Sequence, residues 1–119
     1  MTVAVAATGD SLDADVAMHF ARCKYFLIAH SDTSRLEWFS NPARWKTNEA
    51  GCAAVQALVN RRAELVLAGQ FSPKAQLAME KIGMHHTKAS GKVRDALVEH
   101  ANLQVTPLPN GRTSRRNGT

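Results

Sequence analysis

Residues Thr2 to Ala7 form a short apolar run, Val and Ala only after Thr2, that stops at Thr8-Gly9-Asp10. Continuous rather than alternating apolar character predicts a strand covered on both faces, central in a sheet. From Asp10 to Arg22 the chain mixes Asp, Ser and small residues without a period, which reads as a long loop with room for one helical turn. Long loops in small domains tend to carry function. Tyr25-Phe26-Leu27-Ile28-Ala29, the turn cluster Ser31-Asp32-Thr33-Ser34 and Leu36-Glu37-Trp38-Phe39 together predict a β-hairpin.

Asn41-Pro42 breaks the second hairpin strand, and a polar connection leads to Ala50. Ala54, Val55, Leu58 and Val59 then recur at helical spacing, predicting a first helix that runs to Arg62. Leu65-Val66-Leu67-Ala68 is a second buried strand closed by Gly69. Ser72 can cap, and Pro73 can open, a helix with Ala75, Ala78, Met79 and Ile82 on one face, stopping at Gly83. Met84 to Thr87 is a third parallel-strand candidate, and Ser90-Gly91 precedes a helix whose Val93, Ala96 and Leu97 face inward. The order β-β-β-α-β-α-β-α predicts a three-layer α/β/α domain: a mixed sheet of about five strands, the first strand between the hairpin and the crossover strands, with helices on both faces.

Length and composition narrow the classes. The 119 residues suit one domain, with 45% hydrophobic and 21% charged residues near the globular average. No apolar stretch approaches a bilayer span and no signal sequence is visible, so no membrane partner is expected. Two cysteines, Cys23 and Cys52, are too few for a disulfide framework and suit a reducing cytoplasm. Of the net charge of +5, Arg112, Arg115 and Arg116 supply three beyond Pro107 and Pro109. The reading is therefore one domain over residues 1–106 and a mobile basic tail over 107–119.

In an open sheet of this kind a ligand site is expected beyond the carboxyl ends of the parallel strands. Three segments converge there: Thr8-Gly9-Asp10, Gly69 to Lys74, and Lys88 to Lys92. Backbone N–H groups at helix starts favour anions, so Thr8, Gly9, Gly69, Ser72, Lys74, Ser90, Gly91 and Lys92 are candidate contacts for a negative ligand. The plainer alternative makes Ser72 and Ser90 ordinary caps and the lysines solvated surface. Met18-His19-Phe20-Ala21-Arg22-Cys23 adds an imidazole and a thiol suited to transition metals, and Arg22 to neutralise an anion. Against that, Cys23 could be a small buried hydrophobe and His19 a surface residue. His85-His86 could lend at most one further imidazole, because neighbouring strand residues point to opposite faces.

Val3-Ala4-Val5-Ala6, Gly9-Asp10-Ser11-Leu12-Asp13, His19-Phe20-Ala21-Arg22 and Tyr25-Phe26-Leu27-Ile28 resemble the opening of the dinitrogenase iron–molybdenum cofactor biosynthesis family. That family includes NifX-, NafY- and NifB C-terminal-domain-like proteins and a small orange protein branch. Gly51-Cys52-Ala53-Ala54, Leu67 to Ala75 and Ala89 to Leu97 are similar to its later motifs, in order, so the resemblance spans Met1 to about His100. It implies a ribonuclease-H-like fold and non-catalytic binding or carriage of an anionic metal–sulfur cluster, iron–molybdenum or molybdenum–copper sulfide, passed between a donor and an acceptor protein. It also implies His19 as a metal ligand; Cys23 stays a second candidate on the chemistry of its thiol alone. Ala21 departs from the family's usual Gly, which stiffens the loop.

Two other classes fit the sequence less well. A nuclease needs several carboxylates around two metals, and the strand ending Leu67-Ala68-Gly69-Gln70 offers none. Three tail arginines without a nearby aromatic make nucleic acid a weak candidate partner. A small anion- or nucleotide-binding regulatory domain is the stronger rival, although neither nucleotide-loop glycine motif is present.

Overall fold

The computed structural model describes residues 1–30, 33, 35–45 and 50–101. The proposed boundary near Pro107, the basic tail and most of the turn cluster 31–34 lie outside them. Five strands, β1 (Thr2–Ala7), β2 (Tyr25–His30), β3 (Arg35–Ser40), β4 (Leu65–Ala68) and β5 (His85–Lys88), form one sheet in the order β3-β2-β1-β4-β5. β1 pairs antiparallel with β2 and parallel with β4, so the sense of pairing switches across the most buried strand. This is the mixed sheet that the polarity pattern predicts.

Alternation along β1 divides the core into two layers. Ala4 and Ala6 face helices α1 (Ala50–Val59) and α2 (Pro73–Lys81), packing in a cluster with Ala54, Val55, Leu58, Ala75 and Met79. Val3, Val5 and Ala7 face helix α3 (Val93–Ala101), against Val93, Ala96 and Leu97. β1 is therefore buried on both faces, which explains its unbroken apolar run. No helix among the described residues is long and apolar enough to cross a membrane.

Regular helix in α1 ends at Val59, three residues short of the expected Arg62. The chain leaves through a Schellman turn: Arg62 N–H donates to Val59 O and Ala63 N–H to Leu58 O, with Arg62 at φ 62°. α2 ends the same way, Gly83 N–H to Glu80 O and Met84 N–H to Met79 O, with Gly83 at φ 76°. The sequence reveals the second stop because glycine marks it, and hides the first because an arginine holds the left-handed position. β5 starts at His85, one residue later than expected.

Candidate anion-binding cleft

The long loop is stitched to the end of the sheet. Ala17 N–H donates to Ala6 O, Gly69 N–H to Ala17 O, and Phe20 N–H to Gln70 O, so residues 17–20 run beside the continuation of β4. Gly69 permits that approach: a Cβ there would lie 2.8 Å from both Cα and O of Met18. The single 3₁₀ turn Phe20–Arg22 follows. It buries Phe20 against Phe26 and Phe71, at 5.5 and 5.4 Å between ring centroids, and leaves His19 and Arg22 exposed.

These side chains line a cleft of about 760 Å³ together with Ala50 and Gly51 of α1 and Phe71, Ser72, Pro73 and Lys74 at the start of α2. Ser72 is the N-cap of α2; its Oγ accepts from Ala75 N–H at 3.2 Å, which leaves the hydroxyl proton able to donate outward. Two helix starts thus point at one space, each with a positive partial charge. A smaller pocket shares His19 and Arg22 with the cleft and adds Thr8, Met18, Cys23, Lys24 and Arg44. Arg22 Nη1 donates to Arg44 O at 3.2 Å, and the Arg44 guanidinium lies over the exposed Trp45 ring, 4.4 Å from its centroid. Among the described residues, the linings carry Arg22, Lys24, Arg44 and Lys74 and no carboxylate.

Not every expected contact gathers here. Ser90, Gly91 and Lys92 line neither pocket. The start of α3 is satisfied by the long loop, with Val93 N–H donating to Ala14 O and Arg94 N–H to Leu12 O, while Lys92 Nζ donates to Asp13 O at 3.1 Å. Gly91, at φ 83°, serves the turn into α3. Gly9 lines neither pocket; Thr8 Oγ1 accepts from Asp15 N–H at 3.2 Å.

Cys23 is 4% exposed, and burial pushes its thiol up to about 12, against smaller downward pulls from hydrogen bonds with Ala7, Asn41 and its own backbone and from the Arg44 charge. It sits as a protonated core thiol beneath the smaller pocket. His86 stands behind the cleft wall, its ring tilted against that of Phe71 at 5.0 Å between centroids, and His85 borders a different pocket beside Ile82 and Met84. Sequence reasoning missed Lys24 and Arg44 as cleft cations and Gly51 as a lining residue. For the last, the signals were its place in the family-like Gly51-Cys52-Ala53-Ala54 motif and a glycine in the first turn of a helix, where it costs about 1 kcal/mol against alanine without a packing reason.

Residues 1–103 match the family model described as "Dinitrogenase iron-molybdenum cofactor". The fold is similar to that of the apo form of the orange protein from Desulfovibrio gigas, at 28% identity over 91% of this chain and 92% of that one, TM-score 0.80. It is also similar to a NifB-like protein from Thermotoga, at 24% identity over 85% and 87% of the two chains, TM-score 0.71, a likeness of fold. No curated protein matches the sequence.

Proposed function

This chain belongs to the dinitrogenase iron–molybdenum cofactor family, and on that premise we propose that it binds and carries an anionic metal–sulfur cluster or its precursor without transforming it. The observation that carries this reading is the pair of adjoining pockets sharing His19 and Arg22, lined by four cationic side chains and two helix starts with no carboxylate among the described residues. Such a surface attracts anions and repels free divalent cations. Among the described residues no three His, Cys, Asp or Glu side chains assemble into a metal-ion site. The donor set therefore suits a cargo that arrives with its own sulfides, to which the protein need add only one ligand.

His19 is that ligand: it is exposed, common to both pockets, and its imidazole can donate a lone pair to iron, molybdenum or copper. Arg22, Lys24, Arg44 and Lys74 offset the cluster charge, and Ser72 and the start of α2 offer hydrogen-bond donors to its sulfides. Both iron–molybdenum and molybdenum–copper sulfides are negative and bulky enough for an open cleft. An open cleft also suits exchange with a donor and an acceptor protein. Cys23 serves the core, and the start of α3 has other partners, so neither is assigned to the cargo.

Protein isolated anaerobically from its native host should carry metal and sulfide and absorb visible light. After loading with a thiometallate, His19→Ala should lose metal stoichiometry and the nitrogen-ligand signature in spectroscopy at the metal. A colourless native protein would count against cluster carriage. Full retention in His19→Ala with an unchanged spectrum would exclude ligation by His19.

A further inference from the structure

Asn41 is 2% exposed and is the one polar residue in the core among the described residues. Its side-chain amide is fully used. Nδ2 donates to Ala21 O and Cys23 O, each at 3.0 Å, with Cys23 Sγ at 3.7 Å, and Oδ1 accepts from Ala43 N–H at 2.9 Å. The two carbonyls can only accept and the amide N–H can only donate, so one orientation of the amide satisfies all three. Its backbone adds Asn41 N–H to Lys24 O at 3.0 Å and Arg44 N–H to Asn41 O at 3.4 Å.

The residues it grips are not arbitrary. Ala21 and Cys23 flank Arg22, Ala43 precedes Arg44, and Lys24 is held through its carbonyl. These two segments carry three of the four cations around the paired pockets. Resting on the reading of those pockets as the cargo site, we infer that Asn41 is a positioning residue: it clasps 21–24 to 41–44 and thereby fixes the spacing of Arg22, Lys24 and Arg44 for an anionic cargo. Among the described residues, the Asn41 amide is the side-chain donor to both Ala21 O and Cys23 O. Without the amide, the buried Cys23 carbonyl and the half-buried Ala21 carbonyl lose their donor, and the segments part to reach water.

The test uses the full chain in a Cys52→Ser background, so that Cys23 is the remaining thiol. Asn41→Ala is compared with Leu97→Ala, which opens the core on the α3 side of the sheet and supplies a control for lost stability. Tetrathiomolybdate, followed by anaerobic equilibrium dialysis, is the probe. Asn41→Ala should bind it about tenfold more weakly, and its Cys23 should be alkylated about tenfold faster; Leu97→Ala, matched in melting temperature, should bind as the parent does. Asn41→Asp guards against a variant that does not fold. Ionised or not, its carboxyl offers at most one proton where the amide offers two, so the amide NMR signals of Arg22 and Lys24 should leave the parent positions.

Parent-like affinity together with a protected Cys23 in Asn41→Ala, or unmoved Arg22 and Lys24 signals in Asn41→Asp, would overturn the clasp. Equal weakening in Leu97→Ala would do the same, reducing Asn41 to general stability. If the parent itself binds no tetrathiomolybdate, the cargo reading fails, while alkylation and the amide signals still decide whether Asn41 sets these segments.

Discussion

A Cβ built on Gly51 would lie 3.0 Å from Ser72 Oγ and 3.2 Å from the Cβ of Ala75. The missing side chain lets the first turn of α1 touch the cap of α2, and so brings two helix starts to one cleft. Gly51→Ala should gain about 1 kcal/mol of helix propensity and lose about 1 kcal/mol as the Ser72 cap is displaced. The expected outcome is a melting temperature near the parent's with weaker tetrathiomolybdate binding. Unchanged binding would show that the contact does not shape the site.

The two lysines singled out by the sequence should behave differently. Lys74 lines the cleft, whereas Lys92 is tied to the Asp13 carbonyl beside α3. Lys74→Glu should weaken thiometallate binding several-fold at low salt and flatten its salt dependence, while Lys92→Glu should leave both close to the parent. Dialysis at two ionic strengths separates them. Equal effects would mean that overall charge, not the cleft, controls binding.

Arg62 occupies the left-handed position that Gly83 holds at the end of α2. Arg62→Gly should remove that strain and raise stability by up to about 1 kcal/mol, read by urea denaturation. A loss of stability would mean that the arginine side chain contributes more than its backbone costs.

The buried thiol gives stability a pH dependence. Cys23 rises from the ordinary 9.0 to about 12 in the folded chain, so between those values the folded state holds a proton that the unfolded state has released. Its contribution is full below about pH 9 and is lost as the pH climbs toward about 12. The melting temperature should therefore fall over that range, and Cys23→Ala should show a shallower fall from a lower starting value. Identical slopes would contradict the assignment of Cys23 to the core.

The sheet was legible because its strongest signal is local: Val and Ala without polar interruption at β1, aromatic and β-branched residues at β2, and a serine–proline start to α2. The loop carrying His19 and Arg22, and Ser72 with Lys74, were legible as parts of one candidate cleft. Other features depend on distant partners. The start of α3 resembles that of α2 in sequence, yet the carbonyls of Leu12 and Ala14, about 80 residues earlier, already occupy its N–H groups. Asn41 reads as a strand breaker before Pro42, and only tertiary packing reveals what its amide holds. Arg44 and Lys24 line the same pocket from separate segments of the chain, which no sequence spacing announces.

The central claim is that the paired pockets around His19 receive an anionic metal–sulfur cargo. Titration of isotope-labelled protein with tetrathiomolybdate under anaerobic conditions, followed residue by residue through amide and imidazole NMR signals, tests it most directly. The account predicts saturable shifts at His19, Arg22, Gly51 and Lys74, with Ser90, Gly91 and Lys92 unmoved. No saturable shift, or shifts centred on Ser90 to Lys92, would contradict it.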